Sequence, residues 1–545
     1  MAYLTYYLLL SLSMIGYGFF ISRILKIDYV NIGFIGLLGI SALIFISYAT
    51  TLFIVHNFYF NILILILGIF FFSINIKNIE INDFKIFAVV FLILLLFILA
   101  AKNHDDFPYY HFPYSHFLTQ LEHPIGFGKL NPGFRNPSSV FFLSSLFYLP
   151  YIDHYLLNLY PVYFLGFSNI ILLKFIFNKK DFNNHKSTNI LSLLCFSFIN
   201  IFFYRMAEHG TDRSGMIIIF IMLVVLFLIV FGKKNKIDNF YENKNYFKIL
   251  SIFSVVLMSL KPLYIIYLPL ILVLFTLKEF RLNFNNLIFT RSTIYSASIL
   301  IFVFFFTWLN SGCLIFPADI TCFYNLPWSF SEKVILETNR WYEVWSKAGA
   351  TPNYTVDNFD LYIKNLNWFP NWIDNYFFNK MSDFLLGLFV LAIIFYFTFI
   401  FKQSLKLKKN KTLNLQSILI YIFFIICLIE WFFKHPSLRY GGYQIFALLF
   451  FLPISLKFSL INIDYKKYYK KALFIAVLTI IIFSYRNIDR LIKEYQIYNF
   501  NPFVSTNYMY DEKQHNRILR HMNKTVSKFK TINIFGAKFI ICVPK

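Results

Sequence analysis

Long apolar runs are the feature that most restricts how this chain can fold. Residues 84–101 (FKIFAVVFLILLLFILAA) and 214–232 (SGMIIIFIMLVVLFLIVFG) each approach the ~20 residues that cross the hydrocarbon core of a bilayer. Many such runs follow one another, and 58% of the 545 residues are apolar whereas only 14% are charged. A soluble protein of this length needs a larger polar surface. The predicted fold class is therefore all-α, a polytopic bundle of transmembrane helices.

The order of apolar runs and basic clusters predicts how the chain crosses the membrane. Single spans are predicted at 3–22, 29–55, 58–76, 84–101, 152–177, 188–204, 214–232, 292–310, 384–401, 415–433, 442–458 and 472–485. Residues 249–277 suit either one long span or two short ones that turn at Lys261-Pro262, where proline disfavours a continuous helix. The two-segment solution keeps every Lys/Arg cluster between spans on one side, as the positive-inside rule requires. About 14 crossing segments result, two of them short.

This orientation predicts the domains and the location of the chain. Residues 1–485 form the transmembrane bundle, with outer loops at 102–151 and 311–383. Residues 486–545 form a small extracytoplasmic C-terminal tail, with an amphipathic helix near 511–530 and a strand-like end, TINIFGAKFIIC. The chain is expected in the inner (cytoplasmic) membrane as a multi-pass protein with both termini extracytoplasmic.

The formal net charge of +23 fits a membrane location. Most Lys and Arg residues lie in short clusters between apolar runs, where they set the topology and face an anionic leaflet. No basic folded module remains to bind nucleic acid, so nucleic acid is not an expected partner and membrane lipid is.

Two cysteines bear on the orientation. Cys313 and Cys322 lie nine positions apart in the predicted outer loop 311–383. Because the extracytoplasmic side is oxidising, a disulfide between them is a reasonable hypothesis, and two unrelated thiols are the alternative.

The loop 102–151 holds the densest polar stretch that borders a span. Asp105 and Asp106 follow the fourth span directly, where adjacent carboxylates are costly to desolvate unless a cation, a proton or a basic group accompanies them. One of them would act as a general base toward an acceptor hydroxyl, or would hold a divalent metal ion. The candidate metal ligands are Asp106, His104 and, from the short outer turn 205–213, Asp212. A solvated loop and a salt-bridged turn are the alternatives.

The turn 434–441 (KHPSLRYG) is rich in basic side chains although it lies on the predicted outer side. Arg439 offers a planar fork for a phosphate group and Lys434 a mobile point charge. His435 in the same turn, and Lys261 at the tip of the predicted hairpin, complete the candidate phosphate-binding residues. The alternative for the basic side chains is simple extension to the membrane interface.

The stretch 104–110 (HDDFPYY), directly after an early span, resembles the first periplasmic or lumenal loop of GT-C glycosyltransferases. Those enzymes are multi-span proteins that take a sugar from a polyprenyl-phosphate carrier, and an acidic residue of that loop acts as base or metal ligand. By position, the resemblance makes Asp106 the catalytic residue and Asp105 its neighbour, and it implies basic residues near the carrier phosphate. Bacterial multi-pass families without an assigned chemistry share this pattern, and membership of one of them is the alternative.

Together these features predict an enzyme, a GT-C-like glycosyltransferase that transfers a sugar from a polyprenyl-phosphate carrier to a glycan, lipid or protein acceptor of the envelope. No soluble cofactor is expected, although the acids would suit a divalent metal ion. Three alternatives stay open, one of which is an inactive scaffold that binds glycolipid. An O-antigen polymerase or ligase would depend on outer Arg and His residues more than on Asp106. A transporter or flippase for a lipid-linked substrate would use the interrupted helix at Lys261-Pro262.

Overall fold

The computed structural model describes residues 2–100, 102–152, 154–179, 182, 185–231, 237–350, 356–399, 401, 414–461, 463–499, 520, 529–534 and 537–542. Within these residues, eight helices are long and apolar enough to cross a membrane: Ala2–Leu25, Ile32–Thr50, Phe58–Asn78, Asp212–Phe231, Arg291–Ser311, Phe369–Phe399, Leu415–Lys434 and Tyr465–Tyr498. Shorter apolar helices accompany them at Tyr160–Ile176, Lys186–Phe202, Pro262–Thr276 and Gly442–Phe458. The prediction of a helical membrane protein is confirmed.

The first half of the chain forms helices α1 (Ala2–Leu25), α2 (Ile32–Thr50), α3 (Phe58–Asn75), α4 (Ile81–Ile98), α5 (Phe112–Gln120), α6 (Ser139–Ser145), α7 (Tyr160–Ile176), α8 (Lys186–Phe202), α9 (Asp212–Phe231) and α10 (Ile237–Leu260). The second half forms α11 (Pro269–Leu272), α12 (Lys278–Leu282), α13 (Phe284–Ile288), α14 (Arg291–Ser311), α15 (Glu332–Lys347), α16 (Phe359–Ile363), α17 (Phe369–Trp372), α18 (Ser382–Phe399), α19 (Leu415–Lys434), α20 (Gly442–Ser459) and α21 (Tyr465–Tyr498). Two antiparallel strands, β1 (Phe529–Ile534) and β2 (Ala537–Cys542), follow.

Small residues bring the first three helices into backbone contact. A Cβ atom on Gly16 of α1 would lie 1.9 Å from the carbonyl oxygen of Gly68 in α3. A Cβ atom on Gly39 of α2 would lie 1.7 Å from the carbonyl oxygen of Met14. Close approach of this kind is how helices associate in lipid, where burial of apolar side chains gives no advantage over contact with acyl chains.

Helix α9 is the central element of the bundle. Its side chains from Ser214 to Val230 are all buried, and α7, α8, α10 and α20 pack around it. A helix that is apolar on every side belongs in the interior of a bundle. Asp212, its first residue, is therefore held at the end of the central helix, where a carboxylate is favoured by the helix dipole.

The connecting segments form two groups, one at each end of the helices. Segments 102–151, 205–213, 311–383 and 434–441 contact one another, and we call this end the Asp106 end. At the opposite end, Arg291 donates to the carbonyl of Ile24 at 3.1 Å, and the N–H of Asp28 donates to Asn245 at 3.0 Å. The positive-inside pattern predicts the same grouping.

The interruption predicted at Lys261-Pro262 is confirmed. Helix α10 ends at Leu260, and residues Pro262–Thr276 consist of two 3₁₀ segments around the four-residue helix α11. Lys261 lies at the Asp106 end, whereas Arg291, which follows the hairpin, is back at the opposite end. The first half of the hairpin is the end of the 24-residue helix α10, and only the second half consists of short helical segments, because proline at 262 and at 269 removes backbone donors.

Two predicted boundaries are wrong. The span predicted at 384–401 begins earlier, since a helix runs from Phe369 through a π-helical segment into α18, and the loop before it contains α15. Polar residues at 374, 375, 379 and 380 hid this helix from the apolar pattern. Helix α21 likewise continues beyond the predicted end of the last span at 485 and stops at Tyr498.

The disulfide and the C-terminal strands agree with the sequence. Cys313 and Cys322 are joined within the loop 311–383. The strand-like end forms the hairpin β1–β2, and the N–H of Ile125 donates to the carbonyl of Ile540 in β2 at 2.8 Å, which attaches the hairpin to loop 102–151. The amphipathic helix predicted near 511–530 lies almost entirely outside the described residues.

Candidate functional site

Four charged side chains from four separate segments meet at the Asp106 end. Arg439 donates from Nε to Asp212 Oδ2 and from Nη2 to Asp106 Oδ2, each at 2.6 Å. Lys261 Nζ donates to the second carboxylate oxygen of Asp212, also at 2.6 Å. Two carboxylates and two cations thus form one chain of ion pairs without net charge, which we call the Asp106–Lys261 cluster. The side chain of Asp212 is 4% exposed, whereas those of Asp106 and Arg439 are 29% and 31% exposed, so the Asp106 side of the cluster is the accessible one.

A π-helical turn positions Asp106. The turn spans Phe107–His111, and the carbonyl of Asp106 accepts hydrogen bonds from the N–H groups of Tyr109 and Tyr110 at its start. One turn later, the hydroxyl of Tyr110 returns to donate to Asp106 Oδ2 at 3.1 Å. π-helical segments of this kind occur often at functional sites because they aim side chains that a regular helix would separate.

The turn 205–213 is fixed against the same stretch. The N–H of His104 donates to the carbonyl of Ala207 at 3.2 Å. Gly210 has φ +54°, and a Cβ there would lie 3.0 Å from His111 Cε1 and 3.3 Å from the ring of His104. Tyr160 in α7 donates to the carbonyl of Gly210 at 2.8 Å. A glycine is needed here because the turn is left-handed and lies against two histidine rings.

Lys261 and Asp212 are locked together by tyrosines. The hydroxyl of Tyr264 donates to the backbone carbonyl of Asp212 at 2.7 Å. The ammonium group of Lys261 lies 4.6 Å from the ring centroid of Tyr440, a cation–π contact in addition to its ion pair. The extended backbone that a residue before proline prefers lets Lys261 point toward Asp212.

Aromatic residues hold the turn that carries Arg439. Trp431 donates to the carbonyl of Ser437 at 2.7 Å, and Tyr376 accepts from the N–H of Leu438 at 2.6 Å. Gly441 has φ +109° and lets the chain turn sharply into α20. Arg439 is therefore held at the Asp106 end by the hydrogen bonds of its turn as well as by its own ion pairs.

The cluster controls the charge of the groups around it. Burial favours the neutral form of Asp106, but the adjacent Arg439 guanidinium outweighs it and holds the pKa of Asp106 below its ordinary value. Burial also opposes the charge of Arg439, yet the carboxylates of Asp212 and Asp106 hold the pKa of Arg439 well above its ordinary value. Both groups are thus ionised at neutral pH.

The histidines near Asp106 are neutral. Burial and the charge of Arg439 lower the pKa of His104, and its Nδ1 accepts the N–H of Asp106 at 3.0 Å. The 3.6 Å contact between His104 Nδ1 and the Asp106 carboxylate is therefore not an ion pair. Burial lowers the pKa of His111 to about 3.

Helix α15 covers the accessible side of the cluster. Thr338, Tyr342 and Trp345 face the site at helical spacing. Thr338 accepts a hydrogen bond from Arg135 at 3.2 Å, and the ring of Trp345 lies 5.8 Å from that of Tyr440. The charges of Arg135, Arg439 and Asp106 all act on the pKa of Tyr342, which burial raises.

A family model described as "Domain of unknown function (DUF8201)" matches residues 1–446. The chain belongs to the DUF8201 family. The match covers the segments that supply all four residues of the Asp106–Lys261 cluster. No curated protein and no solved structure matches the chain.

An apolar groove reaches the same turn of this DUF8201 protein. It has a volume of about 470 Å³, lies between α19 and the helix that starts at Phe369, and is lined by apolar side chains alone. Two of its lining residues, Trp372 and Trp431, donate hydrogen bonds to carbonyls of the turn 434–441. The groove is therefore next to the turn that carries Arg439, through the two tryptophans that line it and hold the turn.

Three predicted site residues lie outside the cluster. Asp105 is exposed, and its side chain forms no hydrogen bond or ion pair with the four cluster residues. Lys434 is 59% exposed and lies 3.3 Å from Glu343 of α15. His435 lies 3.6 Å from Glu430. Lys434 and His435 therefore contact acids outside the cluster instead of Asp106. No side-chain contact among the described residues supports an assisting role for Asp105.

The predicted metal ligands are arranged differently from a metal site. Within the described residues, no group of three or more His, Cys, Asp or Glu side chains is placed to hold a metal ion. Arg439 occupies the space between Asp106 and Asp212, and His104 Nδ1 already accepts a backbone N–H. A divalent ion would have to displace the guanidinium, so these residues fit an arginine bridge better than a metal.

Sequence reasoning missed the tyrosines of the site. Tyr110, Tyr264 and Tyr440 contact the cluster directly, and Tyr342 covers it. In a chain with 38 tyrosines, composition cannot single them out. Tyr110 had one usable signal, its position four residues after Asp106 in a stretch expected to turn.

Proposed function

We propose that this protein is a membrane glycosyltransferase that transfers a sugar from a polyprenyl-phosphate carrier to an envelope acceptor on the extracytoplasmic side. One observation carries the proposal. Asp106, the acid of the GT-C-like motif, is bonded at 2.6 Å to Arg439, the proposed phosphate contact from a turn 333 positions away. A base and a phosphate contact that share one site are what sugar transfer from a phosphate carrier requires.

The reaction needs one displacement at the anomeric carbon. The acceptor oxygen forms a bond to that carbon as the bond between the carbon and the carrier phosphate oxygen breaks. The acceptor proton passes to the Asp106 carboxylate, and the carrier leaves as a phosphate monoester. Products are the glycosylated acceptor and the free carrier phosphate, so atoms and charge balance without an added reactant.

Arg439 links the two halves of this reaction. Its Nη1 donates to none of the described residues, so this nitrogen remains for a phosphate oxygen. Negative charge that grows on the leaving phosphate is stabilised by a guanidinium already held in place. When a phosphate oxygen binds the Arg439 guanidinium, that guanidinium stabilises the Asp106 carboxylate less. The pKa of Asp106 then rises, and Asp106 becomes a better base.

The apolar groove supplies a place for the isoprenoid chain of the carrier. Trp372 and Trp431 line the groove and bond to the turn 434–441, so a chain bound in the groove would lie beside the turn that carries Arg439. An amphiphilic carrier thus matches both parts of the surface, whereas a soluble nucleotide sugar would leave the groove unused.

The architecture of the proposal has further parts. We propose about 14 crossing segments in a GT-C-like arrangement, with the Asp106 end and both termini outside the cytoplasm. The disulfide Cys313–Cys322 supports this orientation, because such bonds persist on the oxidising side of a membrane. In intact cells, a membrane-impermeant maleimide is expected to label these two positions in a Cys542→Ser background only after reduction. Labelling that appears only after the cells are opened would show that the Asp106 end faces the cytoplasm.

The test of the reaction compares three proteins in lipid nanodiscs: wild type, Asp106→Asn and Asp105→Asn. Each receives radiolabelled polyprenyl-phosphate sugars and a membrane-envelope acceptor extract, and release of carrier phosphate is measured. Loss of a general base is expected to slow release by about 10²–10⁴-fold in Asp106→Asn. Asp105→Asn is the matched control, because it removes the neighbouring charge without touching the cluster, and should retain release within about threefold.

The outcomes separate the candidate functions. Equal release by wild type and Asp106→Asn, both folded, would reject Asp106 as base and favour a polymerase-type site around Arg439. Absence of release from every donor would reject the transferase.

A lipid-linked substrate transporter is the second candidate. The interrupted helix at Lys261-Pro262 favours it, because broken helices line substrate paths in transporters, and here the break carries a charged residue of the cluster. Movement of a fluorescent prenyl-phosphate lipid between leaflets, without release of sugar, would support this candidate.

A further inference from the structure

Arg135 is a cation near the cluster that lacks a carboxylate partner, as does Arg213, whose guanidinium instead contacts His209 Nε2. Arg439 and Lys261 are paired with acids, as are Lys434 and, deeper in α15, Lys347. Among the described residues, no carboxylate lies within 4.0 Å of Arg135. Its Nη1 donates to Thr338 at 3.2 Å, while its buried Nε has no hydrogen-bond partner there.

The environment of Arg135 makes its charge costly. Its guanidinium lies 4.4 Å from the ring centroid of Phe330 and 5.9 Å from that of Phe316. Partial burial lowers the pKa of Arg135, in accord with a cation that has lost part of its contact with water without an anion in exchange. An arginine kept in this state is prepared for an anion that arrives from outside the chain.

Arg135 is attached to the stretch that carries Asp106. The side chain of Asn131 donates to the carbonyl of Tyr109 at 2.9 Å. A Cβ on Gly133 would lie only 2.3 Å from Cγ of Tyr110, so this turn packs directly on the ring that donates to Asp106. The turn that carries Arg135 is thereby packed on Tyr110, and the hydrogen bond to Thr338 joins Arg135 to α15.

We propose that Arg135 binds a phosphate oxyanion of the lipid carrier, as a contact separate from Arg439. The cluster has no net charge, so it offers little long-range attraction to an anion, whereas Arg135 offers an uncompensated charge and a free donor. The neighbouring Tyr342 supplies a neutral hydroxyl for another phosphate oxygen, whereas Thr338, which accepts from Arg135, already donates its hydroxyl proton to the carbonyl of Val334. The identity of the ligand rests on the proposed function, but the binding test below does not.

The experiment measures binding without turnover. Full-length protein in phosphatidylcholine nanodiscs is titrated with citronellyl phosphate, with citronellol and with inorganic phosphate, and Kd is obtained by calorimetry. Arg135→Gln is expected to weaken citronellyl phosphate binding by about tenfold or more, since a charge-assisted contact is lost. Arg135→Lys should retain part of the affinity, because the charge stays and the planar fork does not. Arg340→Gln, which removes an exposed arginine of α15, is the matched control and should bind as wild type does.

Stability gives a second readout. Because Arg135→Gln removes an unpaired, partly buried charge, its unfolding midpoint should equal or exceed that of wild type. A lower midpoint, with equal loss of citronellol and citronellyl phosphate binding, would show a structural role and overturn the proposal. So would a Kd of Arg135→Gln within twofold of wild type, or no binding of citronellyl phosphate by wild type. Inorganic phosphate that binds equally well would assign the site to free phosphate instead of the carrier and would likewise overturn it.

The two proposals fail separately. Arg135-dependent binding of citronellyl phosphate without any sugar transfer would leave this inference standing and reject the glycosyltransferase. Sugar transfer by Arg135→Gln, together with an unchanged Kd for citronellyl phosphate, would reject this inference and leave the glycosyltransferase standing.

Discussion

The ion-pair chain predicts an asymmetry between its two acids. Asp212 neutralises both Arg439 and Lys261 and is nearly inaccessible to water, so Asp212→Asn leaves two cations with only Asp106. Removal of one partner from a buried ion pair typically costs 3–5 kcal/mol, and the partial exposure of the cations places the expected loss at about 3 kcal/mol. Asp106→Asn leaves Arg439 paired with Asp212, so its expected cost is about 1–2 kcal/mol.

A second substitution tests the cause. In the Asp212→Asn background, Lys261→Met removes the cation that has lost its partner and leaves Arg439 balanced by Asp106. The double variant should therefore regain about 1–2 kcal/mol relative to Asp212→Asn, although Lys261→Met alone destabilises wild type. Asp360→Asn is the control, because it breaks an exposed pair and should cost less than about 1 kcal/mol.

Equilibrium unfolding in dodecyl maltoside micelles titrated with sodium dodecyl sulfate, followed by tryptophan fluorescence, gives the free energies. The reasoning is refuted if Asp212→Asn is no more costly than Asp360→Asn. It is also refuted if Lys261→Met costs as much in the Asp212→Asn background as in wild type, since the two residues would then not be coupled.

Three further outcomes follow from the contacts. The pKa of His111 is lowered to about 3, so its contribution to stability is complete above pH 6.5 and is lost as the pH falls; at pH 4.5 the loss is about 3 kcal/mol, and His111→Phe should flatten this part of the stability–pH curve. Gly133→Ala places a methyl group against the ring of Tyr110 and should lower the free energy of unfolding by about 1–3 kcal/mol, whereas an unchanged value would mean that this turn is free to move. At the other end of the bundle, Asp83→Asn removes the fully buried partner of Lys174 and should cost about 3 kcal/mol in the same detergent titration; a loss below 1 kcal/mol would contradict a buried pair.

The positions of the helices followed from the sequence because they depend on local properties. Apolar run length marked each membrane helix, and proline at 262 marked the break. The prediction failed where polarity and secondary structure diverged, as in residues 369–383, which are helical although they are not uniformly apolar.

The candidate residues were identified individually, but their arrangement was not. Asp106, Arg439, Asp212 and Lys261 each stood out as a charged side chain at the edge of a span. The motif position favours Asp106 over Asp105, but the contact of Asp106 with Arg439 follows only from the tertiary structure. Lys434 similarly resembles Arg439 in sequence, yet the fold pairs it with Glu343 on the exposed side of α15.

The sequence by itself thus determined the membrane class, the order of the helices and a short set of charged residues. Apolar runs, prolines and charges at the ends of spans are properties of single continuous segments, so they can be identified without the tertiary structure. Only the tertiary structure decided that residues 106 and 439 share a carboxylate–guanidinium contact, that Arg439 takes the space a metal ion would need, and that Arg135 has no acid beside it. These facts depend on which helices pack around α9 and on how α15 lies over their ends. Contacts between distant segments are set by close packing of the whole bundle, and no short stretch of sequence contains that information.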